Sequence, residues 1–141
     1  MRTKIVSKVL LSIGLMLVLG SGITQAHGQD VKPPVVTINS TGDVTRGKTG
    51  SFVLSMSPAL LLGGTYVNFS VSGTAAPGVD YVPLISPAYI GQSGYGVILV
   101  QTLPDRRASS SRKAYSVVVT LEPGLAYALG VPKSAQMMIK P

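Results

Sequence analysis

The chain has 141 residues, with twelve Lys and Arg against five Asp and Glu, a formal net charge of +7, one histidine and no cysteine. That length suits one domain. The missing cysteine excludes a disulfide scaffold and a lipidated cysteine anchor, and so few titratable groups leave little for acid–base or nucleophilic catalysis.

Taken in chain order, the first segment is an address rather than part of a fold. "MRTKIVSK" carries Arg2, Lys4 and Lys8, and an apolar run from Val9 to Gly20 follows. Thr24 and Ala26 then supply the small-x-small end of a secretory signal peptide. The apolar run is short of the ~20 residues that span a bilayer. Residues 1–26 are therefore expected to be a signal peptide cleaved after Ala26, and the mature protein to be secreted or periplasmic. Without Arg2, Lys4 and Lys8, nine cations face five acids, and the net charge is +4. Residues 27–34, which include His27 and end in Pro33-Pro34, read as a flexible polar leader.

From residue 35 onward, short runs of Val, Ile, Tyr, Phe and Thr alternate with Gly, Pro, Ser and Asp clusters. Seven strands are expected. The first is Val35–Asn39, and the second is Ser51–Ser57, with Phe52, Leu54 and Met56 on one face. The third is Tyr66–Ser72, with Val67, Phe69 and Val71 inward and Asn68, Ser70 and Ser72 outward. A weak fourth strand around "YVPLI" suits an edge, because Pro83 has no N–H to donate. The fifth, Tyr95–Leu103, is apolar enough to be buried on both sides. The sixth is Tyr115–Leu121 and the seventh Ala135–Lys140. No helical period runs through the mature chain, and "PALLLGG", Pro58 to Gly64, reads either as a cap on one end or as an exposed apolar patch. The pattern implies one all-β domain over residues 35–141, a seven-stranded antiparallel immunoglobulin-like β-sandwich.

"GTAAPGVDYVPL" places one carboxylate, Asp80, in a Gly/Pro turn beside Tyr81. Gly73, Pro77 and Gly78 set the turn, and Asp80 is placed to accept backbone N–H bonds within it. Together with the strand before it, "VNFSVSGTAAPGVDYVPL" resembles the signature of the Calx-beta domain family through Gly73, Thr74, Ala75, Gly78, Asp80 and Tyr81. "GQSGYGVILVQTLPD" and the final two strands follow that family's order, so the resemblance covers about residues 35–140. It implies a seven-stranded sandwich of the kind found in exchanger regulatory regions, integrin chains and bacterial extracellular proteins. Some members bind calcium at one end through several carboxylates.

Carried over position by position, the resemblance leaves two calcium ligands, Asp80 and Asp105. Arg46 stands where the family has a glutamate, and serines follow Asp105 where the family has acids. Calcium takes six to eight oxygen ligands. Here two carboxylates would face Arg46, Lys48, Arg106, Arg107 and Arg112. The expectation is that no cofactor is held, and that Arg46 or Arg106 pairs with Asp80 or Asp105 in the calcium's place. The other acids, Asp30, Asp43 and Glu122, form no catalytic constellation, so no enzymatic activity is expected.

The densest charge lies in Arg106, Arg107, Arg112 and Lys113. It reads as a solvated loop or as a polyanion contact. No aromatics interleave with these cations, so nucleic acid is not the expected partner. The resulting expectation is a structural or interaction module for adhesion, assembly or scaffolding, with a protein or cell-surface polymer as partner. Self-association through the strand near Pro83 or through the last strand is a further route. Two alternatives stand beside it: a calcium module using Asp80 and Asp105, and a polyanion binder using the Arg106–Lys113 loop.

Overall fold

The computed structural model describes residues 32–60 and 63–141. The expected signal peptide, its cleavage point, His27, and Leu61 and Leu62 lie outside the described residues. Ten strands are described: β1 (Val35–Ser40), β2 (Val44–Thr45), β3 (Thr49–Ser57), β4 (Thr65–Val67), β5 (Phe69–Ser72), β6 (Ala88–Ile90), β7 (Tyr95–Gln101), β8 (Tyr115–Leu121), β9 (Ala128–Leu129) and β10 (Ser134–Lys140). One sheet runs β7-β3-β1-β9, a second runs β2-β10-β8-β5, and β4 and β6 form a two-stranded ribbon.

The period-two pattern explains why these two sheets face each other. Val36, Ile38, Phe52, Leu54, Ile98 and Val100 point inward from the first sheet. Val117, Val119, Leu121, Met137 and Ile139 meet them from the second. Each fully buried side chain of this kind contributes roughly 1.5–3 kcal/mol relative to exposure. The register is continuous: Phe52 lies opposite Ile98 and Ser40, and Val119 lies opposite Ala135 and Val71. Tyr127 closes one end. Its buried hydroxyl donates to Glu122 O and accepts from Asn68 N–H. That is the corner by which sandwiches of this type fix a crossing loop.

The all-β sandwich matches expectation, while the strand inventory is corrected in four places. The expected third strand breaks at Asn68: β4 pairs with β6, whereas β5 pairs with β8 in the second sheet. The backbone there is captured by loops, with Asn68 N–H on Tyr127 Oη, Phe69 N–H on Ser86 Oγ, and Asn68 O accepting from Glu122 N–H. "YVPLI" forms no strand beyond two isolated bridges of Tyr81, to Pro77 and to Thr102, and the pairing segment is Ala88–Ile90 instead. Proline prevents the ladder at position 83. β7 is buried on one side only, with Tyr95, Val97 and Leu99 exposed. Finally, the sandwich is not wholly antiparallel, since β9 runs parallel to β1 and β2 parallel to β10.

The last strand has β8 along one side and the two-residue β2 at its Ile139–Lys140 end on the other, and Pro83 lies in no strand.

Candidate functional site

The loop from β5 to Tyr81 is built by its small residues. Gly73 has φ +112°, and a Cβ there would lie 2.3 Å from Ser116 O, so only glycine fits. Thr74 and Ser116 then bond reciprocally, each backbone N–H donating to the other's hydroxyl, at 2.9 and 2.8 Å. Ala75 N–H donates to Ser116 O, and the Ala75 side chain is buried. Gly78, at φ +82°, turns the chain so that its N–H meets Tyr81 O. Tyr81 enters the core at 2 % exposure, and burial raises its pKa, helped by the neighbouring Asp80 charge. Gly73, Thr74, Ala75, Gly78 and Tyr81 thus each have a structural task.

Asp80 is fully buried at the end of this loop. Its Oδ2 accepts from Ala76 N–H at 2.7 Å and from Arg107 Nη2 at 3.0 Å. Its Oδ1 accepts from Arg107 Nη1 at 2.7 Å and from Arg46 Nη2. Asp105 lies alongside. Its Oδ1 accepts from Arg107 N–H at 3.0 Å and Arg107 Nη1 at 3.1 Å, and its Oδ2 sits 3.5 Å from Arg46 Nη2. Arg46 also donates to Leu103 O at 2.9 Å. Burial alone would raise the Asp80 pKa. The Arg107 guanidinium, Ala76 N–H and Arg46 guanidinium outweigh it and hold the carboxyl well below the usual range. Asp105 is lowered chiefly by Arg107 N–H. Arg107 is raised, first by its bonds to Asp80.

Tyr115 supports the cluster from below. Its ring centroid lies 4.2 Å from the Arg107 guanidinium carbon, 5.6 Å from Lys113 Nζ and 5.9 Å from the Arg46 guanidinium carbon. These are cation–π distances. The Tyr115 hydroxyl donates to Ser111 O at 3.3 Å, which holds the basic loop down on the sheet.

The two acids and the basic loop are thus brought together, though with a different division of labour from the one expected. Arg46 does pair with Asp80, but its partner in the cluster is Arg107, while Arg106 is exposed. One local contact favours Arg107, although its reach to Asp80 spans 27 residues of chain. Asp105 accepts from the backbone two residues on, an Asx turn that folds Arg107 back over its own carboxylate. Arg112 donates to Arg107 O and Asp105 O, and it is exposed like Arg106 and Lys113. Of the four proposed polyanion contacts, Arg107 is committed inward and the other three face solvent. A cavity of about 440 Å³ lies beside them, lined by Val79, Leu103, Pro104, Arg106 and Arg107 among others.

The calcium ion that the resemblance implies does not fit this apex. Three of the four oxygens of Asp80 and Asp105 already accept from a guanidinium or a backbone N–H. The fourth, Asp105 Oδ2, is buried without a hydrogen bond, and so is a positive donor, Arg46 Nε. The one carboxylate oxygen without a hydrogen bond lies 3.5 Å from Arg46 Nη2, so a calcium ion here would meet two guanidinium groups and no free carboxylate to offset them. Among the described residues no group of three or more His, Cys, Asp or Glu comes together.

No protein-family model matches the sequence, and no curated protein matches it. Among solved structures the chain is similar to "Crystal structure of CBD12 from CALX1.2", with a TM-score of 0.58, 14% identity, and coverage of 75% of this chain and 44% of that one. The chain thus spans less than half the length of that structure. The likeness is one of fold, and the chain is a Calx-beta-like β-sandwich.

Proposed function

We propose that this Calx-beta-like module is a non-enzymatic adhesion, assembly or scaffolding protein, secreted or periplasmic, whose loop end is organised by arginine instead of calcium. One observation carries the reading: Arg46 and Arg107 converge on the buried carboxylate of Asp80. An internal cation is present at every calcium concentration, so the loops keep one geometry and the module works constitutively. Calcium titration by calorimetry, with thermal unfolding in parallel, tests this reading. The expected result is no heat of binding and no rise in Tm up to millimolar calcium. Clear stabilisation at sub-millimolar calcium would instead favour a calcium module using Asp80 and Asp105.

The outward cations support a second reading, contact with an acidic polysaccharide or lipid headgroup. Arg106, Arg112 and Lys113 are exposed around one end, and Arg106 lines the adjacent cavity. Retention on heparin should fall steeply with salt. Elution at low salt, unchanged when these three residues become alanine, rules this reading out.

A further inference from the structure

The outward side of β7 is apolar where a solvated sheet face is normally polar. Tyr95, Val97 and Leu99 alternate with core residues along β7 and are 61, 54 and 63% exposed. Across the ladder, Val97 lies opposite Val53, while Tyr95 and Leu99 lie opposite the small uncharged Ser55 and Ser51. On the other side, Tyr89 and its partner Tyr66 are 50 and 64% exposed, with ring centroids 5.1 Å apart. Tyr89, Val97 and Leu99 share one groove with Ile85, which is 83% exposed. Strip and groove are therefore continuous, whereas isolated exposed apolar residues would need no explanation.

Charge selects the occupant. Between Lys48 and Asp105 the sequence holds one charged residue, Asp80, and Asp80 is fully buried. The strands of this face, β3, β4, β6 and β7, therefore present no charge at all. Beyond residue 26 the chain carries nine cations and five acids, a net +4, and its densest positive charge is at Arg106, Arg107, Arg112 and Lys113. Two copies meeting at the loop end would set Arg106, Arg112 and Lys113 against their own kind. Meeting at this face, they encounter no like charge, and an acidic partner gains nothing here that the loop end does not offer better. A face rich in tyrosine and aliphatic groups and free of charge also has the composition of an interface core.

We infer that a second copy of this chain packs face to face on the strip made by Tyr66, Tyr89, Tyr95, Val97, Leu99 and Val53, giving a two-fold dimer. An isologous pairing lets the tyrosine end of one strip cover the aliphatic end of the other. The contact uses the face and not the edge of β7. That edge is occupied at both ends, by Val82 N–H on Gln101 O and by Gly91 N–H on Tyr95 O. The inference is independent of the arginine apex, which lies in other residues.

Sedimentation equilibrium of the exported protein over a wide concentration range tests it. The expected result is a dimer that dissociates on dilution and does not weaken as salt is raised, because no charge is involved. Val97→Lys should leave a monomer with an unchanged circular dichroism spectrum. Leu99→Ser, a milder change at an exposed site, should weaken the dimer about tenfold or more. A wild-type monomer at every concentration overturns the inference, whatever else that monomer binds. A dimer that survives both substitutions, or one that falls apart with added salt, overturns it equally.

Discussion

Arg107 grips Asp80 with two parallel hydrogen bonds, Nη1 to Oδ1 at 2.7 Å and Nη2 to Oδ2 at 3.0 Å. This fork-on-fork geometry is available to arginine and not to lysine. It fixes the end of the Gly73–Tyr81 loop against the loop after β7, and Arg46 adds a third element from the β2–β3 turn.

Removing Asp80 should therefore cost far more than removing either arginine. Asp80→Ala removes the shared carboxylate of two guanidinium groups, leaving Arg107 only Asp105 and Arg46 only Leu103 O and the edge of Asp105, and should destabilise by about 3 kcal/mol. Arg107→Ala leaves Asp80 still held by Arg46 and Ala76 N–H, so its cost should be smaller. Urea unfolding of the two variants checks the order, and equal midpoints would contradict it.

Acid should weaken the apex before it unfolds the rest. The pKa values of Asp80, Asp105 and Asp43 are all lowered in the folded state. A lowered folded pKa stabilises at pH values above the unfolded value of about 4, and that stability is lost as pH falls through the folded pKa. Tm should hold steady from neutral pH to about pH 5 and then fall progressively. Asp80→Asn should flatten that fall, and thermal scans at a series of pH values measure both.

Two glycines of one loop should respond differently to alanine. At Gly73 both the positive φ and the 2.3 Å approach to Ser116 O oppose a side chain. At Gly78 only φ does, because nothing lies within 4 Å of the added Cβ. Gly78→Ala should cost about 1–2 kcal/mol, and Gly73→Ala clearly more. Chemical denaturation compares them directly.

Tyr127→Phe should loosen the corner where the expected third strand breaks. It leaves Asn68 N–H and Glu122 O without their shared partner, at about 1–3 kcal/mol if both stay buried. Amide exchange at Asn68 should accelerate before any global change appears.

Local pattern carried much of this structure. Alternation along "SFVLSMS" and "YSVVVTL" placed β3 and β8 and their inward residues, because a period of two admits one buried face. Asp80 was legible as a turn carboxylate from its Gly and Pro neighbours. The break at Asn68 was not, since the groups that capture it come from Ser86, Glu122 and Tyr127, remote in sequence. Nor was the exposure of Tyr95, Val97 and Leu99, because an apolar run looks the same whether one side is covered or two.

The sequence by itself determined the all-β class, the Gly73–Tyr81 turn and the shortage of carboxylates for a calcium ion, since these depend on composition and on residues close along the chain. Only the tertiary structure decided that Arg107, and not Arg106, joins Arg46 on Asp80, and which apolar face stays open. Both depend on where loops and sheets from distant parts of the chain come to rest, and local propensity does not encode that.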